Sequence, residues 1–411
     1  MKVFRTFFLT VVSIILCAFV GMGLLYAVYW IPVDRMQEHL TTSAETLSHE
    51  STHEPFLDIR GYTLDIHTDA LMLLETTDDD ENHSIFQRSL LCSHLTDEQE
   101  TDEFHMREFL ISYAFHQNPA CYRVTYARYW HGYQLWLKPL LYVTDYHGIR
   151  CIVGIFQIII TVLLFWIAWK RDKRIILLLL PVCGALLPPA MVCMEYMSLY
   201  SIIVISCMIL LSRNECGWYF FLCTGVAVAY FDYLTYPVVS LGILLLLCGM
   251  MQQYHFIQFV KYSLAWGMGY AGMWASKWGV ATIFTEENIF LDAWKNMVHR
   301  TAHNAYTQNF DLWDVISKNI GYFVSSPAMI LFLGCLIAEM VLLHKQGMHF
   351  HKEKLFACVF VGVMPFLWYA VLKNHSWVHA FMTNKDLCIT MMAVLLLALP
   401  EQLHFDDKRK S

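Results

Sequence analysis

Residues 152–193 read IVGIFQIIITVLLFWIAWKRDKRIILLLLPVCGALLPPAMVC, two apolar runs joined by Lys170, Arg171, Lys173 and Arg174. Each run approaches the roughly 20 residues that a helix needs to cross the hydrocarbon core. Short loops dense in Lys and Arg stay cytoplasmic, because carrying those charges across during insertion is disfavoured. The turn at 170–174 therefore marks the inner side and gives the chain an inside and an outside.

The same pattern extends along the chain. With 57% hydrophobic and 15% charged residues among 411, the composition excludes an ordinary soluble domain and predicts a polytopic all-α membrane protein. Windows of about 20 residues place spans near 6–30, 152–169, 175–193, 197–212, 218–236, 238–252, 262–284, 325–344, 355–372 and 386–400. With Lys2 and Arg5 inside, the basic segments at 170–174, Arg213, 252–261, 345–354 and 408–410 all fall on the cytoplasmic side. About ten crossings return both termini to the cytoplasm of a multi-pass plasma-membrane protein. The first span reads as a retained anchor, since its apolar run is too long for a signal peptide and no small-residue cleavage site follows.

Three regions result: an anchor at 1–30, a large extracytoplasmic loop domain at 31–150, and a multi-span domain at 151–411 with a second outer loop at 285–324. Acidic patches at 78–81 and 97–103 contribute much of the formal charge of -7 and argue against nucleic acid as a partner. Helices are expected at 34–50, 104–115, 292–303 and 311–322. The aromatic-rich segment 126–139, YARYWHGYQLWLKP, suits the headgroup level of the outer leaflet. Most of the 13 cysteines fall in apolar runs as small packing residues. Cys92 and Cys121 lie in the outer loop, where a disulfide is possible. The absence of CxxC spacing argues against a structural zinc site.

Ionisable residues at membrane depth are costly unless paired or wet, which makes them candidates. Asp232 lies in Tyr-Phe-Asp-Tyr-Leu-Thr-Tyr-Pro, Lys277 in Trp-Ala-Ser-Lys-Trp, and Glu195 at an outer turn. Asp232 and Lys277 either pair as a structural lock or flank a wet cavity, where Lys277 would neutralise a phosphate. Asp65 and Asp69, in Leu-Asp-Ile-His-Thr-Asp, are candidates for a general base or a divalent-cation site, with a helix cap as the alternative. His299 and His303 share a helix face without the Glu of a metalloprotease motif, and His375 and His379 repeat the spacing on a short outer turn. Together with His131 they are candidates to line an outer site and to hold phosphate or sugar. No P-loop, dinucleotide fingerprint or serine nucleophile elbow is visible, so the energy for a reaction would come from an activated substrate in the membrane.

One anchor span, a large acidic outer loop and many further spans resemble the GT-C class of polytopic glycosyltransferases. The segments Arg128-Tyr-Trp-His-Gly-Tyr and Phe231-Asp-Tyr-Leu-Thr-Tyr-Pro also resemble uncharacterised polytopic membrane proteins of Gram-positive bacteria. The first resemblance implies transfer of a sugar from a polyprenyl-phosphate donor to a cell-envelope glycan acceptor at the outer face. The catalytic aspartate of the class maps to Asp69 or Asp65, although the adjacent acidic pair common in the class is missing. Lys277, His375 and His379 would hold the donor phosphate, and Trp130 and Tyr129 would stack on sugar or meet lipid. The alternatives are a transporter or flippase for a lipid-linked glycan, using Asp232 and Lys277 as a polar waist, and a non-enzymatic envelope-assembly protein.

Overall fold

The computed structural model describes residues 2–97, 104–116, 120–213, 216–252, 255–301, 304–305, 308–346 and 352–399. His303, the basic segment 408–410 and most of the acidic patch at 97–103 lie outside the described residues. Helix accounts for 79% of the structure. The described strands form two small antiparallel pairs, one joining His94–Asp97 to Cys121–Val124 and one joining Asn304–Ala305 to Gln308–Asn309. The protein is an all-α membrane protein.

Six helices are long and apolar enough to cross a bilayer: Phe4–Val28, Tyr146–Arg171, Arg174–Val192, Met194–Ser212, Lys352–Val371 and Ala380–Ala398. A bent pair, Leu312–Val324 and Ala328–Val341, makes a seventh if it is counted as one broken span. Against the ten spans expected, six or seven helices among the described residues meet this test of length and composition. Trp218–Phe231 and Val238–Gln252 are shorter apolar helices, separated where Asp232 and Pro237 interrupt the run. Phe256–Phe284 is 29 residues long but carries Lys261, Lys277 and four glycines, and is not among the six.

Burial sorts these helices into rim and centre. Phe4–Val28 has 28% of its most apolar window buried, with Phe7, Phe8, Ile15, Leu16 and Phe19 exposed as a lipid-facing stripe. Ala380–Ala398 has 83% of its window buried and lies at the centre. The basic turn at 170–174 closes on itself: the Asp172 carboxylate accepts from the Arg174 N–H at 3.0 Å and from its guanidinium at 3.1 Å, while Lys173 sits over Trp169. The packing of Trp218–Phe231 against Phe256–Phe284 depends on two glycines. A Cβ on Gly225 would lie 2.2 Å from the Trp266 carbonyl oxygen, and one on Gly269 would lie 2.2 Å from that of Leu222. Small residues that let two helix backbones touch are the usual means of association in lipid, where apolar side chains gain nothing by leaving hydrocarbon.

Between residues 34 and 115 the helices expected at 34–50 and 104–115 form, and a further helix starts at Ile66. Asp34–Ser48, Ile66–Thr77 and Met106–Ala114 are helical, and short 3-10 turns fill 56–62. The aromatic segment corrects the expectation that it lies along a leaflet. Trp130 and Tyr133 are each 1% exposed, and the Trp130 indole N–H donates to the Met273 carbonyl at 2.7 Å. The segment turns inward at Gly132, whose N–H donates to the Tyr230 carbonyl and whose α-carbon packs so close to the Tyr230 ring that a Cβ would approach it to 2.4 Å. The disulfide expectation is also corrected. Cys92 is buried and accepts from the Tyr29 hydroxyl at 3.3 Å, while Cys121 is an exposed free thiol. Replacing Gly225 or Gly269 by Val should force the two helices apart and lower the melting temperature of the detergent-solubilised protein, whereas Gly279→Val, where a Cβ meets nothing within 4 Å, should leave it unchanged.

Candidate functional site

Several stretches of chain converge on a cavity of about 260 Å³. The helix Ile66–Thr77 contributes His67 and Thr68, the aromatic segment Tyr126 and Arg128, and the start of Met194–Ser212 contributes Glu195. The break after Trp218–Phe231 adds Tyr233, the helix Ile289–Thr301 adds Asn296, His299 and Arg300, and the turn before Ala380–Ala398 adds Asn374, His375 and His379. Among the described lining residues Arg128 and Arg300 are the permanent cations and Glu195 is the carboxylate.

Several polar atoms on this wall have no partner within the protein. Glu195 Oε2, Arg128 Nε, Asn374 Oδ1 and His379 Nδ1 are all buried and unbonded. Buried polar groups are almost always hydrogen-bonded, so four orphans on one cavity mark a place where a polar ligand completes the bonding. The arginines are held by their other atoms. An Arg300 terminal N–H donates to Tyr129 Oη at 2.7 Å and another faces His375 Nδ1 at 3.0 Å; the opposite ring nitrogen, Nε2, donates to the Leu234 carbonyl at 2.9 Å. His375 is thereby a neutral positioning group for Arg300. Arg128 stacks on Tyr126, with its guanidinium carbon 4.2 Å from the ring centroid, and reaches Asp292 at 3.3 Å. Burial, with Arg300 beside it, holds the His375 imidazole well below its ordinary range. Burial does the same to His379, reinforced by His375, Arg300, His67 and His53.

The two aspartates expected to act as base have other occupations. Asp65 caps the helix Ile66–Thr77, accepting from the Thr68 N–H at 3.0 Å and the Thr68 hydroxyl at 2.8 Å. Asp69 is fully enclosed. It accepts from the Met194 N–H at 3.0 Å, the Glu195 N–H at 3.1 Å and the Tyr146 hydroxyl at 2.6 Å, with Cys193 Sγ at 3.5 Å. A carboxylate on the unsatisfied N–H groups of a helix start is favoured by both hydrogen bonding and the helix dipole. Burial pushes the Asp69 carboxyl up to about 6, opposed by Arg150, Tyr146 and the two backbone donors. Neither aspartate lines the cavity, and their oxygens are occupied by protein donors.

The remaining candidates divide in the same way. Glu195, His375 and His379 share the cavity. The expected Asp232–Lys277 pair is corrected: Asp232 accepts from the Leu234 N–H, the Thr235 N–H and the Thr235 hydroxyl, bracing a break in which Leu234 has φ 75°. Lys277 donates to the Leu90 carbonyl at 2.7 Å, away from the cavity. Trp130 and Tyr129 are buried in the wall behind it rather than offered to sugar or lipid. His131 lies one layer deeper, between the Tyr126 carbonyl and Glu75. Arg128, Arg300 and Asn374 went unrecognised in the sequence, since an arginine in a polar outer loop carries no local pattern. Comparison with family models, with curated proteins and with solved structures finds no match to this chain.

Losing the Asp69 charge should act through stability. Asp69→Asn is expected to cost about 1–3 kcal/mol, the range for disrupting a buried charged hydrogen bond, read as a lower melting temperature. His375 and His379 predict a pH effect of definite sign. Held neutral in the folded state, they bind protons in the unfolded chain below about pH 6.5, so their contribution to stability is present above that pH and is lost as pH falls. Melting temperature should drop between pH 7.5 and 5.5, and His379→Gln should flatten the profile.

Proposed function

We propose that this chain is a plasma-membrane glycosyltransferase of the GT-C kind, with both termini inside the cell. It transfers a sugar from a polyprenyl-phosphate donor to a cell-envelope acceptor on the outer face. The observation that carries the reading is the cavity in which Glu195, with one oxygen unpartnered, stands among Arg128, Arg300 and four histidines. A sugar phosphate ester needs a cationic seat for its phosphate and a base for the incoming hydroxyl, and this wall offers both kinds of group.

In this mechanism the acceptor hydroxyl gives its proton to the Glu195 carboxylate while its oxygen bonds to the anomeric carbon of the donor sugar. The bond from that carbon to the phosphate oxygen breaks, and its electron pair leaves with the polyprenyl phosphate. Arg128 and Arg300 hold the charge that develops there. Their side chains are already fixed by Tyr126, Asp292, Tyr129 and His375, and preorganised donors stabilise such charge most strongly because nothing need reorient. His379 Nδ1 and Asn374 Oδ1 remain to bond the sugar hydroxyls. Asp69 is a positioning residue: it fixes the Glu195 backbone without facing the substrate. An apolar groove of about 430 Å³, lined by Trp136, Leu140, Ile152, Phe156 and Ile205 of the helices Gln134–Val143, Tyr146–Arg171 and Met194–Ser212, suits an isoprenoid chain.

The reading is tested with the full chain in nanodiscs and a radiolabelled polyprenyl-phosphate sugar. Glu195→Gln should lower transfer by about 10²–10⁴-fold, the usual contribution of a general base, while the melting temperature holds. Arg300→Ala should weaken donor use. Full activity in Glu195→Gln would remove it from the mechanism, and movement of intact donor across the bilayer without glycosidic bond formation would replace the enzyme by a carrier.

A further inference from the structure

Behind the Tyr126 and Tyr233 wall lies a second polar cluster, at Glu75, Cys92 and His131, all buried. A carboxylate oxygen, a thiol sulfur and an imidazole nitrogen of this trio lie within 4.8 Å of one another. Ligand atoms around a tetrahedral zinc stand about 3.3–3.8 Å apart at ordinary bond lengths, so a small contraction closes them on one ion. No other grouping of this kind occurs among the described residues.

The hydrogen bonds around the trio prepare it for a cation. His131 donates from Nε2 to the Tyr126 carbonyl at 2.7 Å, which turns its Nδ1 toward the Glu75 carboxylate, 3.5 Å away. An imidazole held by a carbonyl on one nitrogen, with the other aimed inward, is the usual arrangement of a metal-ligating histidine. Nδ1 also stands 3.1 Å from the Tyr233 hydroxyl and 3.3 Å from the Tyr133 hydroxyl, so an ion entering here takes the place of these contacts. Tyr133 and Tyr233 donate to Glu75 Oε2, while Oε1 has no partner. His94 Nδ1, also buried and unpartnered, stands 4.0 Å from that free oxygen. The buried Lys138 and Lys277 spend their ammonium groups on the Thr76 and Leu90 carbonyls. Two of the three residues also sit in the left-handed region, Cys92 at φ 45° and His131 at φ 55°. Such strain in a residue other than glycine persists where the surroundings impose it, and it gathers at functional sites.

We propose that Glu75, Cys92 and His131 bind a structural Zn²⁺, with His94 placed to supply the fourth ligand. A thiolate and a carboxylate neutralise the ion, so a closed site of this composition is at home in a buried setting. Its role is to tie three separate pieces of the outer domain together: the helix Ile66–Thr77, the end of Ile85–Leu91 and the aromatic turn that carries Arg128. This inference does not depend on the glycosyltransferase reading.

The test uses the full chain in nanodiscs, purified without chelators or metal-affinity resin. Elemental analysis should find close to one zinc per chain. Chelation should lower the melting temperature, and added zinc should restore it. Protein exchanged into Co²⁺ should show a thiolate-to-cobalt charge-transfer band that Cys92→Ser abolishes and Cys121→Ser keeps. If Cys92→Ser does not fold, the metal content and chelator response of the unaltered protein decide the question. A chain that neither holds nor takes up zinc, and whose melting temperature ignores chelator, would overturn the site in favour of a proton shared between His131 and Glu75. A cobalt band that survives Cys92→Ser would overturn it as well.

Discussion

The Asp69 carboxylate, seated on the first N–H groups of the helix Met194–Ser212, is the interaction on which the remaining geometry depends. Asp69 belongs to the helix Ile66–Thr77, and three hydrogen bonds join it to Tyr146 of the helix Tyr146–Arg171 and to Met194 and Glu195 at the start of the helix Met194–Ser212. Glu195 is the second residue of that helix, and its direction into the cavity follows from the backbone that Asp69 grips. The clamp is itself braced, since Arg150 lies 4.0 Å from Asp69 and forms a two-point pair with Glu50, just past the helix Asp34–Ser48. A buried charge met by this many donors offsets its desolvation, whereas removal of one partner leaves the others exposed to that cost.

Around this clamp the cavity has a divided wall. The arginines come from the aromatic segment and from the helix Ile289–Thr301, the carboxylate from the helix Met194–Ser212, and the four histidines from the turn at 374–379 and the helices Ile66–Thr77 and Ile289–Thr301. Aromatic rings set the distances between these groups: Tyr126 and Tyr129 both flank Arg128, and Tyr129 also accepts from Arg300. Two guanidinium groups near each other repel, and the neutral state of His375 and His379 keeps that repulsion from growing. An anion between the two arginines would relieve that repulsion.

Much of the local structure was legible in the sequence, and the tertiary site was only half so. The basic turn at 170–174, the outer helices and the polar character of the turn at 374–379 follow from charge and periodicity that lie along the chain. Asp65 could be read as a cap because Thr68 follows at the spacing that N-caps use. Asp69 could not, since its partners lie 77 to 126 residues away. Lys277 looked functional because membrane depth makes any charge conspicuous, yet its partner is the backbone carbonyl of Leu90, which no pattern announces. The expected spans and the long apolar helices differ in number for a related reason: apolar windows do not register that Trp218–Phe231 and Val238–Gln252 are separate short helices around a braced Asp232. Arg128 and Arg300 were invisible because only folding makes them converge.

The central claim is that Glu195, Arg128 and Arg300 serve one ligand, and a structure of the chain with a non-hydrolysable polyprenyl-phosphate sugar analogue tests it most directly. The account predicts phosphate oxygens within hydrogen-bonding distance of both guanidinium groups and the anomeric carbon turned toward the Glu195 carboxylate. Phosphate bound elsewhere, with the cavity between Arg300 and Glu195 left unfilled, would contradict it.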